Sequence, residues 1–443
     1  MSLNEYAKYR KELNKCVTQK FMHIPEKHKN EVYSIHQREK HKTIWYKGGE
    51  WHEMVSSNSR TNPEVVSYRC PTFPYHSLHQ SVMITKTPKI KAMEGFKIRF
   101  CDNLLINMVK HFRLYHNEIE LQYGNTLSLM VDLKNNSDWE KYISGHIGNL
   151  EKLTTPTNSL EATELSMPLP YYYSKSSSDA FPLIYCGQKD DLIHQIEYNL
   201  DFSSLLIITN SLGEVVEYNP DLLEIEANME MMPIPEIEAN LSYLEESDAR
   251  NIQKFNSDTV GEDKEFYTYS LFYYEDGNPV SLNNKVVLNF RSEHKYPVQS
   301  IFWGARNTTL SESSKNLIID TYKKEEKVSP IKFTERINTS TTSPLINKSS
   351  YKTEFAYHSG KGVTGLNRWY NSVNPNEDHK NFIPGINMGG GSLSVKLNDK
   401  FNNDKFVVYA ILNYTKRFRF TSYPKTYQER KDLRSTVVPD DEE

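Results

Sequence analysis

The residues of this 443-residue chain that are best suited to metal chemistry are its 14 histidines, and their spacing forms no known site. His52-Glu53 lacks the second histidine that a helical zinc-protease motif requires. His76 and His79 have no cysteine or carboxylate at ligand spacing. A structural or solvent-exposed role is the favoured interpretation of these side chains, and we predict no metal site.

Candidate nucleophiles and acid–base pairs are equally sparse. The segment Gly360–Gly362 (GKG) has the lysine of a phosphate-binding loop but neither its first glycine nor the Ser/Thr that follows. No Gly-x-Ser-x-Gly elbow is present. Glu118, Glu120 and Glu197 could pair across a β-sandwich as a glycosidase acid and base, although such strand positions are usually solvated. We therefore predict no catalytic residue, no cofactor site and no enzyme.

The four cysteines lie far apart in the sequence, at Cys16, Cys70, Cys101 and Cys186. No Cys-x-x-Cys motif occurs, so neither a redox pair nor a zinc knuckle is indicated. Few and scattered cysteines are typical of a reducing compartment. We predict that they are buried free thiols, which pack as small apolar side chains.

Charge and hydropathy exclude several functional classes. The net charge of −4 and the pI of about 6.4 give no basic signal for wrapping nucleic acid. No run approaches the 18 or so apolar residues that a membrane-spanning helix needs. The first fifteen residues have no apolar core of a signal peptide. We expect a soluble chain that is made in the cytosol.

The elements that must position any functional surface are predicted to be strands. Aromatic residues make up 12% of the chain, with 29 tyrosines, and such residues suit a pleated, half-buried surface. In the segment 417–423, Phe418 and Phe420 fall on one face, and Arg417 and Arg419 fall on the other. This period of two predicts a half-buried strand, so the chain is expected to end in an antiparallel sheet.

Alternating or β-branched runs predict further strands along the whole chain. Long loops are predicted at 154–164 and 308–353. The predicted strands are 43–46, 65–68, 95–100, 104–111, 111–121, 167–173, 181–185, 194–208, 237–243, 265–274, 286–290, 297–303, 393–397, 406–412 and 417–423.

Length and composition predict two domains of about 200 residues each. Residues 1–30 read as a basic helical arm, and residues 210–235 as an acidic, Met-rich loop insertion. The strand predicted at 237–243 runs into the charged segment 244–255. The last four residues, 440–443, form an acidic tail.

Several motifs, in one order, resemble those of a known family. Pro384-Gly385, followed by Gly391–Ser394 (GSLS) and a strand that ends in Asn413-Tyr414, resembles the final strands of double jelly-roll major capsid proteins. Those proteins build the shells of large nucleocytoplasmic DNA viruses and their relatives. The segment 167–184, with Leu-Pro, an aromatic pair, a Ser-rich turn and Phe-Pro-Leu-Ile, is the most specific match. The segments 108–132 and 288–303 are also similar to the family.

The resemblance implies an all-β fold of two consecutive eight-stranded antiparallel jelly rolls, with short helical insertions and long surface loops. The first jelly roll would span 31–255, with the insertion at about 210–235, and the second would span 256–443 with the acidic tail. Such a chain is a structural major capsid protein that closes into a homotrimer of pseudo-hexagonal outline and tiles an icosahedral shell.

The partners that the resemblance implies are other copies of the chain, neighbouring capsomers and minor or penton capsid proteins. The expected location is the virion capsid, after synthesis and assembly in the host cytoplasm, with no cofactor and no sequence-specific nucleic acid. For the arm at 1–30 two interpretations stay open: a surface helix on its own domain, or an arm that reaches a neighbouring subunit or an inner viral membrane.

Two other functions remain as alternatives. A viral scaffold protein of the same fold would shape an immature membrane and then be discarded. A β-sandwich that binds or hydrolyses carbohydrate would need a concave site with paired carboxylates and exposed aromatic rings. The chain has only five tryptophans, and none lies in a recognisable carboxylate constellation.

Overall fold

The computed structural model describes residues 46–58, 64–126, 128–129, 143–174, 180–245, 264–275, 280–281, 285–290, 297–307, 333–338, 367–370, 386–387, 392–397, 405–424 and 426–439. The arm predicted at 1–30, most of the link predicted at 244–255 and the acidic tail at 440–443 lie outside these residues.

The first half of the chain consists mainly of strands. They are β1 (Tyr46–Glu53), β2 (Val55–Asn58), β3 (Val65–Cys70), β4 (Ser77–Lys86), β5 (Ile90–Ala92), β6 (Phe96–Phe100), β7 (Val109–His116), β8 (Ile119–Asn125), β9 (Ser159–Leu160), β10 (Glu164–Pro168), β11 (Leu192–Tyr198), β12 (Leu206–Asn210), β13 (Val215–Val216), β14 (Leu223–Ile225) and β15 (Glu236–Leu244).

Helical elements in this half are single turns. They are α1 (Leu104–Asn107), α2 (Ser144–His146), α3 (Glu151–Thr154) and α4 (Phe202–Leu205), with 3₁₀ turns at Tyr172–Ser174, Leu183–Tyr185, Pro220–Leu222 and Glu226–Asn228. In the part of the chain that the structure describes, no helix is long and apolar enough to cross a membrane.

Within its described residues, the second half adds ten strands and one helical turn. They are β16 (Lys264–Glu275), β17 (Val280–Ser281), β18 (Lys285–Asn289), β19 (Pro297–Asn307), β20 (Phe333–Asn338), β21 (Asn367–Tyr370), β22 (Ile386–Asn387), β23 (Ser392–Leu397), β24 (Lys405–Ser422), α5 (Glu429–Asp432) and β25 (Thr436–Pro439).

Two larger sheets build the first half. One has the order β1-β15-β4-β10 and the other β2-β3-β11-β7-β8, and every pairing in both is antiparallel. Met83 and Ile237 from the first sheet and Val66 and Phe112 from the second are fully buried in one apolar cluster. Two small sheets, β13-β12-β6 and β14-β5-β9, complete this half. It is therefore a layered antiparallel β-structure closed around a common core.

Strand alternation explains which side chains form this core. Along β11, Leu192, His194, Ile196 and Tyr198 are buried, and the residues between them are half-buried. Successive side chains leave a strand on opposite faces, so one face of β11 supplies the core. Each fully buried large apolar side chain contributes about 1.5–3 kcal/mol.

The second half is organised around β24. This strand lies between β16 and β19 in a seven-stranded sheet, and β18-β23-β20 form a separate three-stranded sheet. The segment 409–412 is buried at every residue. Further on, Phe418 and Phe420 are fully buried while Arg417 and Arg419 are half-buried, which confirms the predicted alternation.

Several predicted strands have different bounds or another conformation. The strand predicted at 104–111 begins instead as α1, all four residues of which are buried. The strand predicted at 194–208 is broken by α4, whose preceding residue, Asp201, accepts hydrogen bonds from the backbone N–H and the hydroxyl of Ser203. As a result β11 and β12 lie in different sheets. The strands predicted at 406–412 and 417–423 are one strand, β24.

Of the strand predicted at 167–173, only residues 167 and 168 are strand, at the end of β10, and a 3₁₀ turn follows at Tyr172–Ser174. The segment predicted as a strand at 181–185 contains the 3₁₀ turn Leu183–Tyr185. Pro168, Pro170 and Pro182 lack the N–H that a sheet interior requires, so proline ends the ladder here. A single bridge between Leu78 and Phe181 joins the second of these segments to β4.

The segment predicted as the insertion at 210–235 contains two short strands. β13 pairs with β12, and β14 pairs with β5. The middle of the segment, at 215–216 and 223–225, is therefore fastened to the small sheets of the first half.

Candidate functional site

The histidines considered in the sequence lie near the edge where β1, β15 and β4 meet. His76 Nδ1 accepts a hydrogen bond from the backbone N–H of Leu244 (2.9 Å), and His79 Nε2 lies 2.8 Å from the hydroxyl of Ser242. Burial, with a smaller contribution from a nearby arginine, lowers the pKa of His76 to about 4, and burial also lowers the pKa of His79. The uncharged rings of His76, just before β4, and His79, in β4, therefore make hydrogen-bond contacts with residues at the end of β15.

The carboxylates considered as a glycosidase pair are far apart. Glu120 is paired with Tyr115 on β7, and Glu197 is paired with His111 on the same strand. Four residues of strand separate those positions, which is about 13 Å. Glycosidase carboxyl groups lie about 5–10 Å apart, so Glu120 and Glu197 do not form such a pair. Glu120 instead lies 3.4 Å from the guanidinium of Arg113.

The other carboxylate and the glycine-rich segment considered in the sequence do not contribute to a catalytic or phosphate-binding site among the described residues. Glu118 lies in the two-residue turn between β7 and β8. The segment Gly360–Gly362 lies outside the described residues.

Three of the four cysteines are described, and the prediction of buried free thiols is confirmed for them: Cys70, Cys101 and Cys186. Burial raises the pKa of the Cys70 and Cys186 thiols above the ordinary value. Cys16 lies outside the described residues.

The most elaborate polar arrangement is made by the C-terminal segment, residues 426–439, against the first half. Arg430 in α5 is fully buried. Its Nε donates to the carbonyl of Cys186 (3.0 Å), and its Nη2 lies within hydrogen-bond distance of the carbonyls of Thr72, Tyr75 and Leu183 (3.0, 2.7 and 2.9 Å). One guanidinium thus joins two separate loops of the first half, before β4 and before β11.

A second buried cluster lies next to Arg430 and is made by His116, Cys186, Asp190 and Ser435. The backbone N–H and hydroxyl of Ser435 donate to the two oxygens of Asp190 (2.8 and 2.5 Å), and Ser435 Oγ lies 3.1 Å from His116 Nε2. Burial raises the pKa of the Asp190 carboxyl, but hydrogen bonds from His116, Ser435 and Gly187 outweigh it and lower the pKa.

Sequence reasoning did not find this cluster, because its members are up to 319 residues apart. No spacing rule links His116 at the end of β7, Cys186 and Asp190 before β11, and Ser435 before β25. The available signal was weak: a histidine and an aspartate that each stand at the edge of a strand.

The insertion carries much of the exposed apolar surface. Leu212 is 81% exposed, and Val215, Met229, Met231 and Ile234 are also exposed. Exposed apolar side chains are a feature of binding surfaces where they form a patch. The insertion is therefore the candidate contact surface of the first half.

Comparison with known proteins gives structural likeness without sequence likeness. No protein-family model and no curated protein matches the sequence. VP54 of PBCV-1 is similar in structure with a TM-score of 0.57, at 11% identity over 90% of this chain and 99% of that chain. The Faustovirus major capsid protein has a TM-score of 0.56, at 9% identity over 85% and 91% of the two chains.

A chain of the PBCV-1 virus capsid is also similar, with a TM-score of 0.54 at 10% identity over 86% of this chain and 97% of that chain. At such identities the likeness is one of fold, and it extends over nearly the full length of these capsid chains. This chain has the double jelly-roll fold of the viral major capsid proteins, as its sequence motifs predicted.

Proposed function

We propose that this chain is a structural major capsid protein. The observation that supports this most is the extent of the likeness, which covers 90% of this chain and 99% of PBCV-1 VP54. A carbohydrate-binding or hydrolytic β-sandwich protein would match only one of the two jelly rolls of a capsid protein. This chain instead is similar over nearly the whole length of a double jelly-roll chain. In the proposal the first jelly roll spans 31–255, with the insertion at about 210–235, and the second spans 256–443.

The proposed assembly is a homotrimer of pseudo-hexagonal outline that tiles an icosahedral shell. Two similar domains per chain give six similar units around a threefold axis. Open sheet edges favour strand pairing with other chains unless they are covered, and closing three chains into a ring covers them. We expect each trimer to bury well over about 2,000 Å² per interface, which is typical of obligate oligomers.

The proposed partners are other copies of this chain, neighbouring capsomers and minor or penton capsid proteins. The arm at 1–30 would face an inner viral membrane or a neighbouring subunit. The location would be the virion, after assembly in the host cytoplasm. The net charge of −4 supports contacts with protein rather than with packaged nucleic acid.

The test is the solution mass of the purified chain, by light scattering after size exclusion, followed by negative-stain images. A particle near three times the chain mass of 51.7 kDa, with a hexagonal outline, is expected. A monodisperse monomer at micromolar concentration would contradict the capsomer.

The protein composition of purified mature particles distinguishes a permanent shell protein from a scaffold protein. A shell protein remains in them as the most abundant chain. A scaffold would be found in immature particles and be lost from mature ones.

A further inference from the structure

We propose that His116, Cys186 and Asp190 form a structural zinc site, with Ser435 as the fourth ligand. The three ligand atoms, His116 Nε2, Cys186 Sγ and one carboxylate oxygen of Asp190, lie within 4.8 Å of one another. The three residues come from two strand ends that meet at one end of the five-stranded sheet.

The distances suit a tetrahedral ion. Cys186 Sγ and His116 Nε2 are 3.7 Å apart, and His116 Nε2 and Asp190 Oδ2 are also 3.7 Å apart. Zinc bonds of about 2.3 Å to sulfur and about 2.0–2.2 Å to nitrogen and oxygen place neighbouring ligand atoms about 3.3–3.6 Å apart. Shifts of a few tenths of an ångström would bring these two pairs to the coordination spacing, and Cys186 Sγ lies within 4.8 Å of the Asp190 oxygen.

Ser435 supplies an oxygen at the same place. Its Oγ lies 3.1 Å from His116 Nε2 and 2.5 Å from Asp190 Oδ2. To act as the fourth ligand, Ser435 Oγ would have to give up its hydrogen bond to Asp190 Oδ2 and move about 0.8 Å away from it.

Charge and ligand chemistry favour zinc over other divalent cations. A thiolate and a carboxylate together neutralise a divalent ion, which matters where all three ligand residues are at most 1% exposed. A thiolate with an imidazole selects zinc over magnesium and calcium, which prefer oxygen ligands. On binding, the Cys186 thiol gives up its proton to solvent.

The surroundings hold the ligands in position. Gly187 N–H donates to Asp190 Oδ2 (2.7 Å), and Ser435 N–H donates to Asp190 Oδ1 (2.8 Å). His116 Nδ1 lies 3.5 Å from Asn117 Nδ2. For Nε2 to bind the ion, the neutral ring would carry its proton on Nδ1 instead of Nε2. Such outer contacts orient metal ligands.

The first experiment measures metal binding by the purified full chain. The protein is stripped with a chelator, reloaded with zinc or cobalt(II), and its metal content is determined. We expect about one ion per chain. The cobalt form should show tetrahedral d–d bands and a thiolate-to-cobalt charge-transfer band. Less than a tenth of an equivalent of bound ion after reloading would overturn the proposal.

Variants assign the site. Cys186→Ser should remove the charge-transfer band, and His116→Gln should lower the zinc content to near zero. The matched control is Cys101→Ser, because Cys101 is an equally buried free thiol in the same half, outside the cluster. An unchanged cobalt spectrum in Cys186→Ser would place the metal elsewhere and overturn the proposal.

Should the variants fail to fold, X-ray absorption of the cobalt form of the unaltered chain decides the matter. One sulfur in the coordination shell is the expected result. A shell of nitrogen and oxygen alone would refute the site.

Discussion

Arg430 carries a permanent positive charge into a position with no measurable solvent exposure. Removing a cation from water is costly unless hydrogen bonds replace its hydration. The planar guanidinium can meet several acceptors at once, and here it contacts four backbone carbonyls from two loops. The buried carbonyls also lose their hydrogen bonds to water on folding, and the guanidinium replaces them. The hydrogen bonds therefore offset the desolvation of both the cation and the carbonyls.

Replacing Arg430 by lysine should therefore destabilise the fold although the charge is kept. A single ammonium group cannot reproduce the fork that reaches both loops, and we expect a loss of about 3 kcal/mol in the free energy of unfolding. Urea denaturation measures it. The control is Lys431→Gln at the exposed neighbouring position, where a change within about 0.5 kcal/mol is expected. Equal effects of the two variants would contradict the role assigned to Arg430.

His194 is a second buried ionisable residue, placed in the core by the alternation of β11. Its Nε2 lies 2.6 Å from the hydroxyl of Tyr173, and burial lowers its pKa to about 3. The unfolded chain would titrate this imidazole at an ordinary pKa of about 6.5. Below that pH the unfolded state binds the extra proton, so stability is full above pH 6.5 and falls as the pH drops toward 3.

We expect the His194→Gln variant to show a weaker pH dependence. The free energy of unfolding of the unaltered chain should fall with acidification by up to about 1.4 kcal/mol per pH unit for each such histidine. His76, with its pKa lowered to about 4, acts in the same direction and remains in the variant. Denaturation curves between pH 4 and 7 give both slopes. Identical slopes would show that His194 does not titrate on unfolding.

At the scale of elements, the C-terminal segment approaches the first half closely at Gly187. A Cβ on Gly187 would overlap the carbonyl oxygen of Leu433, just after α5. Side-chain contacts are flexible, but a backbone carbonyl cannot move without moving its segment. Glycine is therefore required where the two backbones meet.

The Gly187→Ala variant should loosen the C-terminal segment. We expect trypsin to cleave at Arg430, Lys431 or Arg434 several-fold faster in native buffer, because local opening exposes the backbone. Gly48→Ala is the control, since no atom lies within 4 Å of the Cβ that it adds. Equal cleavage rates in the two variants would argue that the segment adjusts without detaching.

The sequence predicted correctly those strands that bury one face and expose the other. β3, β6, β15 and β16 were recognised with bounds within two residues, because alternation marks such strands. The turn that divides 194–208 was missed, although Asp201 is a typical capping residue, because apolar residues continue on both sides of it. α1 was missed because a short buried run reads alike as helix or strand.

The buried cluster was beyond the reach of sequence patterns. His116 and Asp190 stand at the ends of neighbouring strands, and only the register of β7 with β11 brings those ends together. Ser435 joins them through the path of the C-terminal segment. The cluster therefore forms through contacts between residues that are far apart in the chain. No short sequence motif indicates it.

At the scale of the whole molecule, the two halves share one core. The cluster that contains Phe112 and Ile237 of the first half also contains Phe418 and Phe420 of β24. The ring of Phe420 lies 5.7 Å from that of His116, centroid to centroid. Thr268 of β16 donates a hydrogen bond to the carbonyl of Leu121 on β8 (2.9 Å). Neither half can lose these contacts alone without exposing the apolar surface of the other.

We therefore expect unfolding in a single calorimetric transition. Removing the Phe420 side chain by Phe420→Ala should destabilise the fold by about 3–5 kcal/mol and shift that transition as a whole. The control is Val287→Ala at an exposed position of β18, which should leave the curve in one piece at a nearly unchanged temperature. Two well-separated transitions in the unaltered chain would contradict a shared core.

The late position of Arg430 in the chain has a consequence for biosynthesis. The carbonyls that it satisfies belong to residues up to 358 positions earlier. At roughly 5–20 residues per second, a ribosome needs on the order of tens of seconds to add that stretch. Until Arg430 has been added, these carbonyls of the nascent first half can bond only to water, so this part of the packing forms after the rest of the first half is made. We expect chains that stop before Arg430 to be cleaved by proteases faster than longer chains, because the loops before β4 and β11 lack their common donor.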